Sequence, residues 1–214
     1  MLPAKTDALM RVAGLRHKVN REFVVTAEII RTQRVLPYDR MWKLAHDRKW
    51  FHIQFEDLSI IQFQNNPSPS FHFIECPLDV PSLGDFIASL GKEYRARYDS
   101  VVAELYDEAI ETAGLRPYIT PIRFDRDFGS YRSGVHPAAH LHIGIDNNIR
   151  LGLAREMTPL SFLLFILRQK YPSSWERLLR SNLASSLVRS IRDSLPPLPK
   201  QYGQDFDFCE IALI

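Results

Sequence analysis

Residues 50–64, WFHIQFEDLSIIQFQ, constrain the fold more than any other stretch. Phe51, Ile53 and Phe55 alternate with His52, Gln54 and Glu56. A period of two puts neighbouring side chains on opposite faces of an extended chain, so this stretch reads as a half-buried strand. Glu56-Asp57 reads as a turn into a second strand. NNPSPS then breaks the chain, and FHFIECP resumes as a third strand. The sum is an antiparallel meander.

The flanks read differently. In TDALMRVAGLRHKVN, residues 6–20, Leu9, Val12 and Leu15 recur at helical spacing, with Thr6 or Asp7 as the cap. REFVVTAEIIRTQ fits strand and helix equally, and PYDRMWKLAHDRKW opens a short helix with a proline. Residues 79–115 predict a long helical stretch with an apolar stripe of Phe86, Leu90, Tyr94, Tyr98, Val101, Val102, Leu105 and Ile110. Gly91 is a dividing point, and Gly114 stands in the place of a C-cap glycine. Strands follow at 118–127, 138–146 and 148–153, with Asp146-Asn147-Asn148 as a tight hairpin. TPLSFLLFILRQKYP reads as a helix with Thr158 as N-cap and Pro159 at its first position. SSWERLLRSNLASSLVRSIRDSL predicts one more helix, with Ser173 and Glu176 in capping-box relation. Residues 194–203 read as a linker before a terminal strand, FDFCEIALI. Strands in the middle and helices around them predict an α+β fold with a mainly antiparallel sheet. We expect a single domain over 1–214, with residues 1–76 as a candidate N-terminal subdomain.

Bulk properties narrow the class. The 214 residues are 45% hydrophobic and 24% charged, as in an ordinary globular domain. A net charge of +2 lacks the dense basic patch of a dedicated DNA binder. Cys76 and Cys209 form no C-x-x-C pair, which excludes a zinc knuckle and suggests buried thiols in a reducing cytoplasm. The N-terminus lacks the apolar core of a secretory signal, and LSFLLFILRQKY is too short to span a membrane. A Gly-rich phosphate loop and a G-x-S-x-G elbow are both absent. A cytoplasmic protein without a membrane partner is the expectation.

The chemistry concentrates in PIRFDRDFGSYRSGVHPAAHLHIGID, residues 121–146. On strands, Asp125 and Asp127 share a face, and so do His140 and His142. If the two strands are neighbours, the four converge. Asp125, His140 and His142 are then candidate ligands for Mn²⁺, Zn²⁺ or Fe²⁺. A bound ion would polarise a phosphate and acidify a water. A metal-free version uses His140 or His136 as general acid or base, a carboxylate to orient it, and arginine to hold an anion. Arg123, Arg126, Arg132 and Arg150 are the nearby cations. His136 precedes Pro137 and belongs in a loop at the sheet edge. His52 and His72 read as wet-face residues, and Arg177, Arg180, Arg189 and Arg192 as a solvated helix face.

PIRFDRD, then HPAAHLHIG, then Arg150, then MTPLSFLLFILRQKYP resembles an uncharacterised bacterial family. Its pattern runs P-L-R-F-D-x-D, H-P-x-x-H-L, R-x-P, L-T-P-x-x-F-x-x-F-I-L-R-x-x-Y. The likeness covers about residues 117–175, with Gly152 in place of a proline. It implies polar positions at Arg123, Asp125, Asp127, His136, His140 and Arg150. His142 falls outside the pattern, which moves weight toward His136, His140 and Asp125. Over a shorter span the chain is similar to TumE-type toxins, which implies a toxin–antitoxin or defence setting. Two functions are therefore carried forward. One is a ribonuclease-like enzyme acting on nucleic-acid phosphodiesters, with Mn²⁺ or Mg²⁺ as a candidate cofactor. Its catalytic set is His140, His136, Asp125 and Asp127, and Arg123 and Arg150 bind phosphate. The other is a non-catalytic module that binds an antitoxin or a defence-complex subunit.

Overall fold

The alternation seen at residues 51–55 runs through the whole centre of the chain. In the computed structural model, which describes residues 4–15, 17–66, 68–91, 100–146, 149–181 and 184–203, it builds one sheet of seven strands. These are β1 (His17–Val19), β2 (Ile53–Phe55), β3 (Ile60–Gln64), β4 (Ser70–Ile74), β5 (Ile122–Arg126), β6 (Ala139–Ile143) and β7 (Ile149–Gly152). Their order in space is their order in sequence, and every neighbouring pair is antiparallel. With the helices around it the fold is α+β.

Register decides which side chains meet. Ile61, Phe73 and Ile122 line up across β3 to β5. Phe63, Phe71, Phe124, Leu141 and Leu151 line up across β3 to β7. This apolar face is covered by α1 (Ala4–Val12), α6 (Pro159–Lys170), α7 (Pro172–Leu179) and α8 (Ala184–Asp193), which contribute Leu9, Met10, Phe162, Leu163, Ile166, Leu178 and Ile191. Phe162 packs edge-on to Phe63 and tilted against Phe71, the offset geometry that aromatic rings prefer. A second apolar cluster joins α3 (Tyr38–Asp47) and α5 (Ser100–Thr112) to Ile60 and Ile74 through Trp42, Ala45, Tyr106 and Ile110. Both faces of β2 and β3 are therefore buried, and Gln54 and Gln62 are buried polar residues. That corrects the half-buried reading of residues 51–55.

Several boundaries differ from expectation for identifiable reasons. The first helix stops at Val12, because Gly14 takes a φ of +64° and turns the chain into β1. Arg177 packs against Gly14, where any Cβ would collide with it. Thr6 and Asp7 thus lie inside α1, and Asp7 pairs with His17 and Arg11. The ambiguous stretch becomes α2 (Ala27–Val35), capped by the Thr26 side chain. In the long helical stretch, α4 (Leu83–Leu90) ends at Gly91, which has a φ of +113°. On α5 the buried positions are Val102, Tyr106 and Ile110, whereas Val101 and Leu105 face solvent. Tyr94 and Tyr98 lie outside the described residues. Gly114 accepts from the Asp79 amide and does not take the left-handed cap conformation. The three later strands are shorter than expected, and Asn147-Asn148 lie outside the described residues. The single helix expected after residue 172 is two, α7 and α8, and α7 has no side-chain cap. Residues 194–203 are bonded along residues 154–156, and Tyr202 stacks on Phe128, so they are not a free linker. The terminal-strand segment and Cys209 lie outside the described residues. Cys76 is buried, and burial pushes its thiol up to about 11.

At α6 the expectation holds. Thr158 caps the helix, Pro159 opens it, and the Thr158 amide donates to Ser161 Oγ at 2.8 Å. A lost cap of this kind costs about 1 kcal/mol, so Thr158→Ala will lower the unfolding free energy read from urea titration by that amount and Thr158→Ser will not. Among the described residues no helix is long and apolar enough to cross a membrane.

Candidate metal centre

The register that aligns the apolar rungs also aligns polar ones on the opposite face. Gln62, His72, Arg123, His142 and Arg150 lie side by side on β3 to β7. Gln64, Ser70, Asp125, His140 and Gly152 form the next rung. Opposed side chains on paired strands start about 5 Å apart, so both rungs are in contact along their length.

Asp125, His140 and His142 meet where the rungs adjoin, and their ligand atoms all lie within 4.8 Å of one another. The His140 and His142 Nε2 atoms are 3.0 Å apart, and His142 Nε2 is 3.3 Å from Asp125 Oδ2. Two donors each about 2.1 Å from one ion, at tetrahedral or octahedral angles, are about 3.0–3.4 Å apart. These two separations match those of donors that share an ion. The surrounding bonds fix the tautomers, with the proton on His142 Nε2, which faces the His140 nitrogen and the Asp125 carboxylate, to be displaced when an ion binds. His140 Nδ1 donates to the Pro137 carbonyl at 2.8 Å, which leaves the Nε2 lone pair facing the cluster. Arg123 Nε donates to Asp125 Oδ2 at 2.7 Å, and Ser70 Oγ donates to Asp125 Oδ1 at 2.6 Å. A hydroxyl has one proton, so the 2.8 Å contact from Ser70 Oγ to His72 Nε2 requires the proton on His72. The chain His72–Ser70–Asp125 thus has a single direction.

Electrostatics separates ligand from proton carrier. His140 is 1% exposed and His142 3%. Burial, with His142 nearby, lowers His140 to about 4, so it is neutral at pH 7. A general acid or base works best with a pKa near the working pH, and His140 is far below it. A buried neutral imidazole suits a metal ligand. Burial would raise Asp125, but the His142 hydrogen bond, the Arg123 charge and the Ser70 hydroxyl together hold it well below the usual carboxylate range. Burial also lowers His52 and His72 to about 4. These three histidines bind a proton more readily unfolded than folded. Their contribution to stability is complete above the ordinary histidine range and lost as pH falls through it toward 4. In EDTA, the thermal midpoint will drop steeply between about pH 6.5 and pH 4. A midpoint that stays flat across that window would contradict neutral burial.

The remaining expected residues divide. Asp127 lies beyond β5 and uses Oδ1 to accept the Gly129 and Ser130 amides at 3.0 and 3.1 Å. It holds a turn, which lowers its pKa, and does not join the ligand cluster. His136 packs edge-on against His140 with ring centroids 4.8 Å apart, and its buried Nδ1 has no protein partner. Arg123 is on Asp125, and Arg150 is exposed beside His142. Arg126 points elsewhere, to Glu156 at 2.7 Å, and Arg132 pairs through its backbone with His136. The wet-face reading of His52 and His72 does not hold. His52 Nδ1 accepts the Phe63 amide, and His72 belongs to the cluster. Sequence reasoning did not link Ser70, His72 or Arg34 to the site. The alternation in SFHFI was the available signal, but its pairing with RFD was not.

Asp125, His140 and His142 line a cleft of about 610 Å³ whose walls also draw on the polar face and the α2–α3 region. Arg34, Arg123, Arg150 and His136 stand around it. The chain matches the model of an uncharacterized conserved protein family, DUF2290, over residues 13–202. The chain belongs to this family. The DUF2290 match spans β1 to β7 and takes in both polar rungs. No curated protein and no solved structure matches the chain.

Proposed function

We propose that this protein is a metal-dependent phosphodiesterase acting on nucleic acid, RNA foremost, with Asp125, His140 and His142 as ligands. The observation that carries the reading is the convergence of two buried imidazoles and one carboxylate, with ligand atoms within 4.8 Å of one another, in the lining of a cleft. Two nitrogens and one oxygen favour Mn²⁺, Zn²⁺ or Fe²⁺ over Mg²⁺, which prefers oxygen. Three protein ligands leave positions for water and substrate. An ion held by Asp125, His140 and His142 would supply Lewis-acid chemistry and an acidified water for attack at phosphorus, with displacement of the leaving ribose oxygen. His136 passes a proton to that oxygen in this reading, and Arg123 and Arg150 offset the phosphorane charge. A toxin or defence setting, with an antitoxin as partner, is the biological counterpart of such an activity.

The test is direct. Calorimetry with Mn²⁺, Zn²⁺ and Mg²⁺ measures the site. Labelled single-stranded RNA, single-stranded DNA and duplex DNA, each with Mn²⁺ or EDTA, measure the activity. The reading expects micromolar or tighter binding of Mn²⁺ or Zn²⁺ and EDTA-sensitive RNA cleavage that Asp125→Asn abolishes. The 2.7 Å ion pair of Arg123 with Asp125 supports a second reading, a satisfied polar network in a binding module. Absence of both ion binding and cleavage would favour that module.

A further inference from the structure

The lining of the cleft falls into two chemically distinct groups. Strands β5–β7 contribute the polar group, Arg123, Asp125, His140, His142 and Arg150. The α2–α3 region contributes the apolar group, Ile30, Leu36 and Met41. Two amides also line the cleft, Gln33 on α2 and Gln64 on β3. The Gln33 Nε2 is buried and has no protein partner. Buried polar groups are nearly always satisfied, so such a donor in a cleft wall is fit for a ligand acceptor. Arg34, next to Gln33 in the chain, lines the same cleft, and no acid partners it among the described residues. β3 is two strands from β5, a separation of about 10 Å, comparable to the length of one nucleotide.

From this layout we infer that the cleft takes a nucleoside phosphate unit. Its base lies against the apolar group, Gln33 and Gln64, and its phosphate lies at Arg34, Arg150 and the ligand cluster. An amide offers a donor and an acceptor on one plane, the pattern that base edges match. Apolar walls with a few converging polar groups are the usual lining of such a pocket. The inference rests on the proposed function for what happens at the phosphate, but not for how the base is held.

The full chain is titrated by calorimetry with the four nucleoside 5′-monophosphates, ribose 5-phosphate and a tetranucleotide, in Mn²⁺ and again in EDTA. At least one nucleotide should bind about tenfold tighter than ribose 5-phosphate, the margin of one or two added hydrogen bonds. Gln33→Leu should erase that margin and leave ribose 5-phosphate and Mn²⁺ binding unchanged. Gln33→Glu should also erase it, which guards against a packing effect of leucine. Arg34→Ala should weaken nucleotide and sugar phosphate alike. A tetranucleotide that binds tighter still identifies a strand as the source of the unit, and equal binding identifies a free nucleotide. Equal affinity for nucleotides and ribose 5-phosphate would overturn the inference, as would a margin that survives both Gln33 variants. A margin seen in EDTA without any Mn²⁺ binding would keep the base pocket and remove the metal reading.

Discussion

His142→Ala is expected to weaken Mn²⁺ or Zn²⁺ binding by more than about 100-fold, beyond the usual cost of a lost outer-shell contact. His142 is the hub of the cluster, 3.0 Å from the His140 nitrogen and 3.3 Å from the Asp125 oxygen. Its removal leaves two ligands, too few to hold an ion against water. The fold should tolerate the change, because Asp125 retains Arg123 and Ser70. Calorimetry reads the affinity, and thermal unfolding in EDTA confirms that the variant is folded. Ser70→Ala should give a milder loss of about tenfold, since it frees one carboxylate oxygen without removing a ligand. His136→Ala should leave ion affinity alone and lower only cleavage. Identical Mn²⁺ affinity in wild type and His142→Ala would refute the ligand assignment.

Phe162→Ala is expected to cost about 3–5 kcal/mol of folding stability. The Phe162 side chain is fully buried and meets Phe63 and Phe71 from α6. Alanine would leave a void flanked by strands that cannot move closer without breaking the ladder, so collapse is limited and the cost sits high in that range. For a chain of this size the thermal midpoint should fall by roughly 10 °C. Below that midpoint, ion affinity should match the wild type, because Phe162 lies on the sheet face away from the cluster. A loss under about 1 kcal/mol would mean that the aromatic face repacks freely.

The two effects separate cleanly because the sheet divides its faces by sequence parity, and that parity is legible in the chain. FHF, RFD and HLH each place one kind of residue at the centre and another at the ends. Asp125, His140 and His142 could therefore be assigned to shared faces before any register was known. Cross-strand neighbours could not. Ser70 meets Asp125 only because β4 pairs with β5 across residues 75–121, and long-range pairing leaves no local mark. Asp127 misled for the opposite reason. Parity holds only within a strand, and β5 ends at Arg126, one residue too soon. Helix ends at Thr26 and Thr158 were decided by local hydrogen bonds, and of these Thr158 was visible in the sequence. The helix start at Pro172 put Ser173 inside α7 and overrode an apparent capping box.

The strictly sequential strand order has a consequence for how the molecule assembles. β2, β3 and β4 are joined by short turns, and β5, β6 and β7 by modest loops, so each group of three can zip up locally. Joining the groups requires closing the chain around residues 75–121, which carries the larger entropic cost. Ser70 and His72 come from the first group, and Asp125, His140 and His142 come from the second. Ser70 and His72 therefore join the cluster only when β4 pairs with β5. A β5–β7 unit formed alone would hold all three candidate ligands and Arg123 but lack the Ser70 hydroxyl, and so would bind the ion about tenfold more weakly until the sheet is whole.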